Sequence, residues 1–433
     1  MRKKINVFWF RRDLRLFDNH GLFKALSEEI PVLPLFIFDT EILKEFPDPY
    51  DRRVSFIYDQ LLQINAVLKK SGSSILIKHG TPEHIFTQLS EKYEINTVFS
   101  NFDHEPSSIS RDERVGDLLK KFGCEFQQFK DHVVYDKNEI LNMSGNTYAV
   151  YTPFMRRWKE QLTDEHLQHF PSEKHLYNCI NEQFDFLPLL ETGYHKLPDE
   201  IPNFIFNEKL IKDYHLTRDF PGIRGTSEIG IHLRFGTISV RQAVKEAARL
   251  SEVWFNELIW REFFIQIMWN FPHVALGAFK KKYDLVEWRN NEDEFEQWCN
   301  GNTGFPIVDA GMRELVQTGK MHNRVRMITA NFLTKLLLID WQWGERFFAQ
   351  HLLDFEYSSN NGNWQWAAGT GADAAPYFRI FNPKTQMEKF DPDLSYCKTW
   401  LSQAEIKSPE PVVDYAFARK RCLQVFGSLK TDI

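Results

Sequence analysis

Cysteine is scarce in this sequence, and no two cysteines are closely spaced. The chain has 433 residues and 5 cysteines, and none of them forms a Cys-x-x-Cys motif. Neither a disulfide framework nor a zinc module is therefore supported. We expect a protein of the reducing cytoplasm, with no structural disulfide and no metal site.

Long apolar runs are also missing. No stretch approaches the roughly 18 uninterrupted apolar residues that a membrane-spanning helix requires. The start, Met1-Arg-Lys-Lys-Ile5, lacks the apolar run of a signal peptide. The sequence has no internal repeat and no low-complexity tract. We therefore expect a globular chain without a membrane span.

Basic residues are not in excess. The net charge is -6 at pH 7, which at first argues against a nucleic-acid partner. Whole-chain charge is a coarse measure, however, because phosphate binding needs only a local basic surface. From residue 206 onward, acidic and basic residues are equal in number, so the acidic excess lies in the first half. The second half can therefore hold a basic patch.

Aromatic residues, in contrast, are abundant. Hydrophobic residues make up 43% of the chain and aromatic residues 15%, with 38 Phe and 12 Trp. This is enough apolar material for large cores, and the length suggests two domains. Core packing is the default interpretation of any single tryptophan. A cluster of tryptophans in one segment is harder to explain in that way.

The first part of the chain alternates strand-like and helix-like patterns. Amphipathic stretches such as Arg52–Lys70 and Pro82–Lys92 separate apolar runs at Ile5–Phe10, Val32–Phe38, Ser74–Ile77 and Thr97–Phe99. This alternation predicts an α/β domain over residues 1–131, a doubly wound, Rossmann-like parallel sheet. No Gly-x-Gly-x-x-Gly follows the first strand, so a dinucleotide fingerprint is missing. A small ligand would bind at the carboxyl ends of the strands.

The remainder of the chain is mostly helical in pattern. Prolines punctuate residues 132–205, which we predict as a connector. Residues 206–433 form a predicted all-α domain with apolar residues at helical spacing. The clearest predicted helices are Gln242–Leu250, Trp254–Asn270, Asp309–Thr318 and Val325–Leu338.

One predicted helix begins with an unusual charge. Asn323, Arg324 and Arg326 open a helix whose remainder is apolar. Two arginines at a helix start oppose the helix dipole, so they need a partner. Either a carboxylate or a phosphate could provide it, and a surface salt bridge would explain the arginines equally well.

Two further segments concentrate polar and aromatic residues. Asn361-Gly362 predicts a tight turn within Asn360–Trp366. Trp364 and Trp366 are two residues apart and cannot share one helix face, so one of them could face a cofactor and the other a second cavity. A loop anchored in the core by two indoles is the simpler interpretation. Thr226-Ser227 follows a glycine and could bind phosphates, but an ordinary helix cap explains it equally well.

Taken together, these segments resemble the photolyase/cryptochrome family, most nearly its class I cyclobutane-dimer photolyases. The resemblance runs from Phe8-Trp-Phe-Arg-Arg-Asp-Leu-Arg-Leu16 to about Trp400. Its most specific stretches are Thr303-Gly-Phe-Pro-Ile-Val-Asp-Ala-Gly-Met312, Gly362-Asn-Trp-Gln-Trp-Ala-Ala368 and Asp373-Ala-Ala-Pro-Tyr-Phe-Arg-Ile-Phe-Asn-Pro383.

The resemblance implies a helical domain that binds FAD, active in its reduced form. Tyr214 and Thr226–Gly230 would hold the diphosphate region, where the family's Thr-Ser-x-Leu-Ser is replaced by Thr-Ser-Glu-Ile-Gly. Asn360 matches the position that faces flavin N5, and an asparagine there argues for repair rather than signalling. The full implied FAD set is Tyr214, Thr226, Ser227, Glu228, Ile229, Gly230, Trp254, Glu257, Arg261, Phe264, Asn323, Arg326, Asp354, Glu356 and Asn360. Within this set, Arg326 would pair with Asp354.

The implied reaction is electron transfer from the excited flavin to a cyclobutane pyrimidine dimer that has been flipped out of DNA. Glu257 and Asn323 would hydrogen-bond the base edges. The implied apolar walls of the lesion pocket are Trp260, Met327 and Trp366, and the implied contacts to the DNA backbone are Arg218 and Arg324. Three tryptophans match an electron-transfer chain to the flavin, with Trp364 near the flavin, Trp341 midway and Trp288 at the surface.

The resemblance also bears on the alternatives. A second antenna chromophore is compatible with the family, but Ser108-Ile109 replace the Asn-Glu pair of folate-binding relatives, so we do not expect a folate. A cryptochrome photoreceptor, a (6-4) photolyase and a DASH-type cryptochrome stay open as alternatives. The main prediction is a monomeric deoxyribodipyrimidine photo-lyase, a carbon–carbon lyase that acts on dimer-containing DNA.

Overall fold

A computed structural model of the chain describes residues 2–198, 201–407 and 410–429. The chain forms two compact units. The first consists of Met1–Glu139, Leu162–Ile205 and Glu228–Glu246. The second consists of Ile140–Gln161, Phe206–Ser227 and Ala247–Ile433. The segment that we predict as a connector, residues 132–205, is thus divided between the two units, and residues 228–246 pack with the first.

The first unit is built on a parallel sheet in the order β3-β2-β1-β4-β5. The strands are β1 (Lys3–Phe10), β2 (Val32–Asp39), β3 (Leu76–Gly80), β4 (Tyr93–Asn101) and β5 (Glu125–Phe129). The central strand β1 and its neighbour β2 are buried almost throughout. Burial of successive residues requires cover on both faces of the sheet, as expected when helices connect parallel strands. The predicted doubly wound sheet is confirmed.

Several helices of the first unit pack against this sheet, namely His20–Leu26, Thr40–Leu43, Pro82–Lys92 and Pro106–Lys121. The unit also contains Arg52–Lys70 and Ile229–Phe235, and Val240–Leu250 begins in it. Asp51 caps Arg52–Lys70 by accepting from the N–H groups of Arg53 and Val54. The core between sheet and helices includes Val7, Leu35 and other fully buried side chains.

The second unit is helical, as predicted. Its helices are Tyr151–Gln161, Glu208–Thr217, Glu252–Asn270, Glu292–Cys299, Pro306–Thr318, Asn323–Asn331, Trp341–His351, Tyr357–Ala368, Pro383–Phe390, Ser395–Trp400, Gln403–Lys407 and Tyr415–Ser428. From Glu292–Cys299 onward, the apolar faces of these helices meet in one core rich in aromatic residues. Across the described residues, no helix combines the length and the apolar character needed to cross a membrane.

Two elements differ from the sequence prediction. The predicted single helix Val325–Leu338 is an α-helix over Asn323–Asn331 that widens to π-helix over Phe332–Leu337. It ends at Leu338, whose φ of 55 breaks the helical path. The strand β5 was not predicted, because Gln127 and Gln128 interrupt its apolar pattern.

Candidate functional site

One pocket of the second unit gathers many of the predicted site residues. It encloses about 600 Å³ of space that opens to solvent. Its predicted members are Asn323, Arg326, Met327, Asp354, Glu356, Asn360, Trp364 and Trp366. Several of these belong to the helices Asn323–Asn331 and Tyr357–Ala368, which pack against each other. A flat aromatic ligand could lie here between indoles, an amide and a guanidinium.

The pocket helix Tyr357–Ala368 corrects the predicted turn at Asn361-Gly362, which was wrong because both residues are helical. The Glu356 carboxylate begins the helix by accepting from the N–H groups of Ser358 and Ser359, at 3.3 and 2.8 Å. The structure therefore gives Glu356 a capping role. The Asn361 amide donates to the carbonyl oxygen of Val274 at 3.1 Å. These contacts satisfy polar groups that would otherwise favour a turn.

Glycine lets the pocket helix approach its neighbours closely. A Cβ at Gly362 would lie 2.1 Å from Cδ1 of Phe264, so only glycine fits against that ring. On the neighbouring helix, a Cβ at Gly344 would lie 2.1 Å from Cη2 of Trp364. Trp364 is buried, with its ring centroid 4.9 Å from that of Phe348. Trp366 is less buried, and both tryptophans line the pocket.

The arginines at the start of the helix Asn323–Asn331 have carboxylate partners. Arg326 donates to both oxygens of Asp354, at 2.9 and 3.1 Å, as the resemblance implies. Arg324 donates to Asp219 at 2.6 Å. The sequence left either a carboxylate or a phosphate open as the partner of these arginines, and in the free protein both arginines pair with carboxylates. Asp219 was not among the predicted residues.

His322 caps the same helix, a role that we did not predict from the sequence. Its Nδ1 accepts from the N–H of Arg324 at 3.2 Å, so Nε2 carries the proton of the neutral ring. Burial, Arg326 and Arg324 lower the pKa of His322 to about 4. Nε2 is buried and has no hydrogen-bond partner among the described residues. The imidazole is therefore neutral at pH 7.

Glu345 lies behind Asn360 and was not predicted from the sequence. The Asn360 amide donates to the backbone carbonyl of Glu345 at 3.1 Å, which leaves the amide oxygen of Asn360 for the pocket. Burial raises the pKa of Glu345 to about 7, against the opposing effects of Asn360 and Arg346. No sequence signal could have identified this acid, because its burial arises from tertiary packing.

A second cluster involves Glu257 and Arg218. Arg218 donates to the Glu257 carboxylate at 2.6 Å, and its guanidinium lies 5.3 Å from the ring centroid of Tyr214. Burial raises the pKa of Glu257, and Arg218 opposes this effect. The structure thus brings Glu257 together with Tyr214 and Arg218, two predicted residues about 40 positions earlier in the sequence.

The predicted phosphate segment is divided between the units. Ser227 accepts from the indole N–H of Trp254 at 3.2 Å, and both belong to the second unit together with Thr226. Glu228, Ile229 and Gly230 belong to the first unit. Glu228 has a φ of 53 as the N-cap of the helix Ile229–Phe235. Left-handed backbone is costly for a residue with a side chain, so this turn is strained.

Trp260, Arg261 and Phe264 lie on the helix Glu252–Asn270, three to seven residues beyond Glu257. The ring of Trp260 stacks on Tyr151, with centroids 3.6 Å apart and planes 6° apart. Trp260 and Phe264 are 5.5 Å apart between centroids. Tyr151 was not among the predicted residues, because it lies in the segment that we predicted as a connector.

The three tryptophans of the implied electron chain share one hydrophobic core. Trp364 and Trp341 are 2% and 4% exposed, whereas Trp288 is only partly buried. Burial therefore falls in the order that a chain from flavin to surface requires. Trp288 meets the ring of Phe426 edge to face, with centroids 5.8 Å apart.

The carboxyl edge of the sheet in the first unit is filled by ion pairs. Arg12, after β1, pairs with Asp103 at 3.0 Å and with Glu105 at 2.7 Å, after β4. Asp103, His104 and Glu105 could in principle ligate a metal, but both carboxylates already pair with Arg12, and Glu105 pairs with Arg234 as well. Burial would raise the pKa of Asp103, yet Arg12 and the neighbouring cations hold it well below its usual range.

The pocket of the second unit fits FAD. Its Asn360 amide oxygen is free to meet a ring nitrogen, and the Arg326–Asp354 pair can bind polar groups of a flavin. Trp364 and Trp366 supply aromatic surface for a flat ring system.

Comparison with known proteins gives consistent matches. Residues 254–408 match the family model of the FAD binding domain of DNA photolyase, and residues 6–174 match that of DNA photolyase. The deoxyribodipyrimidine photo-lyase of Synechococcus is 36% identical over 99% of this chain and 97% of its own length. The crystal structure of a class III photolyase from Agrobacterium tumefaciens has a TM-score of 0.86 and 31% identity, with 99% of this chain and 98% of that chain covered. An archaeal photolyase from Sulfolobus tokodaii, solved with two FAD molecules, has a TM-score of 0.81 and 32% identity over 98% of this chain and 100% of that chain.

Proposed function

This chain belongs to the DNA photolyase family, and from that premise we propose that its helical unit holds FAD in the pocket beside Asn360 and repairs cyclobutane pyrimidine dimers in DNA under near-UV or blue light. The activity is that of a deoxyribodipyrimidine photo-lyase. The observation that carries the residue assignment is the convergence of Asn360, Arg326, Asp354, Trp364 and Trp366 on one pocket.

FAD held in this pocket in its reduced form would, when excited by light, supply the electron that opens the cyclobutane ring. The chain's own residues bind and orient the flavin and the lesion, and they exclude water. Asn360 would present a neutral amide to the flavin ring, so it adds no charge to the pocket. Arg326 is held by Asp354, which balances its charge and fixes its guanidinium at the pocket wall.

We infer that the lesion enters beside Glu257 and Trp260 on one side and Met327 and Trp366 on the other. A dimer pairs poorly, so flipping it out of the duplex costs less than flipping a normal base. Stacking on an aromatic wall contributes on the order of 1–3 kcal/mol per base. We propose that Glu257 and Asn323 hydrogen-bond the base edges.

We propose that Arg218 and Arg324 bind DNA phosphates. In the free protein they pair with Glu257 and Asp219 at 2.6 Å each, and all four side chains are partly exposed. These pairs are only partly buried, so phosphates can replace the carboxylates at modest cost. Exchange at Arg218 would also release the Glu257 carboxylate for the lesion.

We propose that the protein is cytoplasmic, because the state of its cysteines fits a reducing compartment. All five are free, and four of them are buried, which is typical of a reducing compartment.

The test is illumination of the purified protein with an oligonucleotide that carries one thymine dimer. We expect flavin absorbance, and dimer loss that depends on light and on prior reduction of the flavin. Asn360→Ala should keep the fold and reduce the repair yield, whereas Gln424→Ala, an exposed residue of the helix Tyr415–Ser428 that does not line the pocket, should not. Protein that takes up no FAD, or that repairs no dimer under light, would contradict the proposal. The relative with two FAD molecules makes an antenna flavin the second chromophore to look for in the spectrum.

A further inference from the structure

Tyr151 covers one face of the indole of Trp260. The ring centroids are 3.6 Å apart and the planes differ by 6°. Parallel rings at this distance are in direct contact over their faces, so this side of Trp260 is closed to any other group. Trp260 is otherwise only partly buried. A base that stacks on Trp260 must therefore use the opposite face.

Tyr151 itself is fixed at several points. Its hydroxyl donates to the carbonyl oxygen of Asn256 at 3.0 Å, and its backbone N–H donates to the carboxylate of Asp373 at 3.2 Å. Its ring meets that of Phe263 edge to face, with centroids 5.9 Å apart. The residue is 7% exposed. A side chain that is held at both ends can act as a rigid backing for its neighbour.

The hydroxyl contact connects Tyr151 to the backbone of the same helical turn. In an α-helix the carbonyl of Asn256 accepts from the N–H of Trp260, four residues later. Glu257 lies between them and belongs to the same helix. Tyr151 thus contacts both the ring and the backbone turn from which Trp260 and Glu257 project.

We propose that Tyr151 is a positioning residue for lesion recognition, which fixes the plane of Trp260 so that a single face of the indole receives the flipped-out pyrimidine pair. The proposal rests on the proposed function, since Trp260 receives its role there. A flat wall that is already oriented loses little side-chain freedom when a base stacks on it. Tyr151 therefore strengthens binding of the dimer without touching DNA itself.

The test compares variants that differ in the ring. Tyr151→Met fills the space with a flexible chain, and Tyr151→Phe keeps the ring but removes the hydroxyl. Phe154→Leu is the matched control, because Phe154 is buried on the same helix but packs on Phe263, at 5.3 Å between centroids. The readouts are the Kd for an oligonucleotide with one thymine dimer, the Kd for its undamaged counterpart at the same salt, and the flavin content.

We expect Tyr151→Met to raise the Kd for dimer DNA roughly 3- to 10-fold, the range that an aromatic pair contributes. The Kd for undamaged DNA should stay unchanged, and so should the repair yield per photon at saturating DNA. Tyr151→Phe and Phe154→Leu should stay within about twofold of the unmodified protein. Unchanged binding by Tyr151→Met, an equal loss on undamaged DNA, or a loss in Tyr151→Phe as large as that in Tyr151→Met would each overturn the proposal.

Two further variants keep the experiment decisive. If Tyr151→Met loses its flavin, Tyr151→His replaces it, and we expect a smaller rise of about 2- to 3-fold because imidazole keeps part of the stacked area. An unchanged Kd there overturns the proposal. Trp260→Ala separates this inference from the proposed function. If Trp260→Ala leaves binding of the dimer intact, the role of Trp260 in the proposed function and the role of Tyr151 are both wrong. If Trp260→Ala weakens binding of the dimer but the Tyr151 variants do not, only the role of Tyr151 is refuted.

Discussion

The buried acid behind Asn360 gives the sharpest test of the electrostatics of this site. Glu345 is 8% exposed, and one of its carboxyl oxygens has no hydrogen-bond partner among the described residues. Burial raises its pKa from 4.5 to about 7. The carboxyl group is therefore held in a place that favours its neutral form.

The sign and size of the effect follow from this difference in pKa. Between pH 4.5 and pH 7 the folded chain binds more protons at Glu345 than the unfolded chain does. Folding is therefore favoured at low pH, and the contribution is lost as the pH rises through this window. Because one pKa unit corresponds to about 1.4 kcal/mol, the ionised group costs about 3 kcal/mol above pH 7.

Replacement of Glu345 by glutamine tests this reasoning, because an amide resembles the neutral acid in shape. We expect Glu345→Gln to match the unmodified protein near pH 4.5 and to be more stable by up to about 3 kcal/mol at pH 8.5. Urea unfolding at several pH values, followed by tryptophan and flavin fluorescence, measures the difference.

The control for this experiment is Glu296→Gln, which removes an exposed acid from the same unit. It should show no pH-dependent difference. A Glu345→Gln variant whose stability differs from that of the unmodified protein by the same amount at all pH values would refute the reasoning. A difference that grows toward acid pH would show that the carboxylate is the favoured form.

Two other predictions concern the electron chain and the pocket helix. Trp288→Phe should slow photoreduction of oxidised flavin but leave repair by pre-reduced enzyme intact, as transient absorption and a dimer-repair assay would measure; equal loss of both would argue against the chain. Gly362→Ala should cost about 1–3 kcal/mol and lower the ratio of flavin to protein, because the new Cβ would lie 2.1 Å from Phe264. Gly427→Ala is its control, since nothing lies within 4 Å of a Cβ there, and a Gly362→Ala variant as stable as this control would contradict the packing argument.

Periodicity alone predicts the architecture well. Long apolar runs such as Val32–Asp39 are buried on both faces, so their pattern predicts strands directly. The pattern fails where side chains are polar or where the helix type changes. Glu125–Phe129 pairs with β4 as an edge strand despite its glutamines. The π-helix at Phe332–Leu337 has the same composition as an α-helix, so only packing can distinguish the two.

The site is predictable in part. The resemblance named Arg326 and Asp354 as a pair, and the structure has them 2.9 Å apart. It could not identify Glu345 or Tyr151. Burial and stacking of these side chains depend on residues far away in the sequence, and their residue types are common in any helix. Local patterns contain no information about such long-range contacts.

The pocket helix Tyr357–Ala368 shows where local rules fail and why. Residues 358–363 read Ser-Ser-Asn-Asn-Gly-Asn, and intrinsic propensities oppose a helix of this composition by roughly 4 kcal/mol relative to alanine. Two local contacts and one tertiary contact offset that cost. The Glu356 cap, the bond from the Gln365 amide to Asn361 at 3.1 Å and the packing of Gly362 on Phe264 each stabilise it. Departures of this kind from local preference are expected at functional sites, so the helix supports the proposed role of the neutral amide of Asn360.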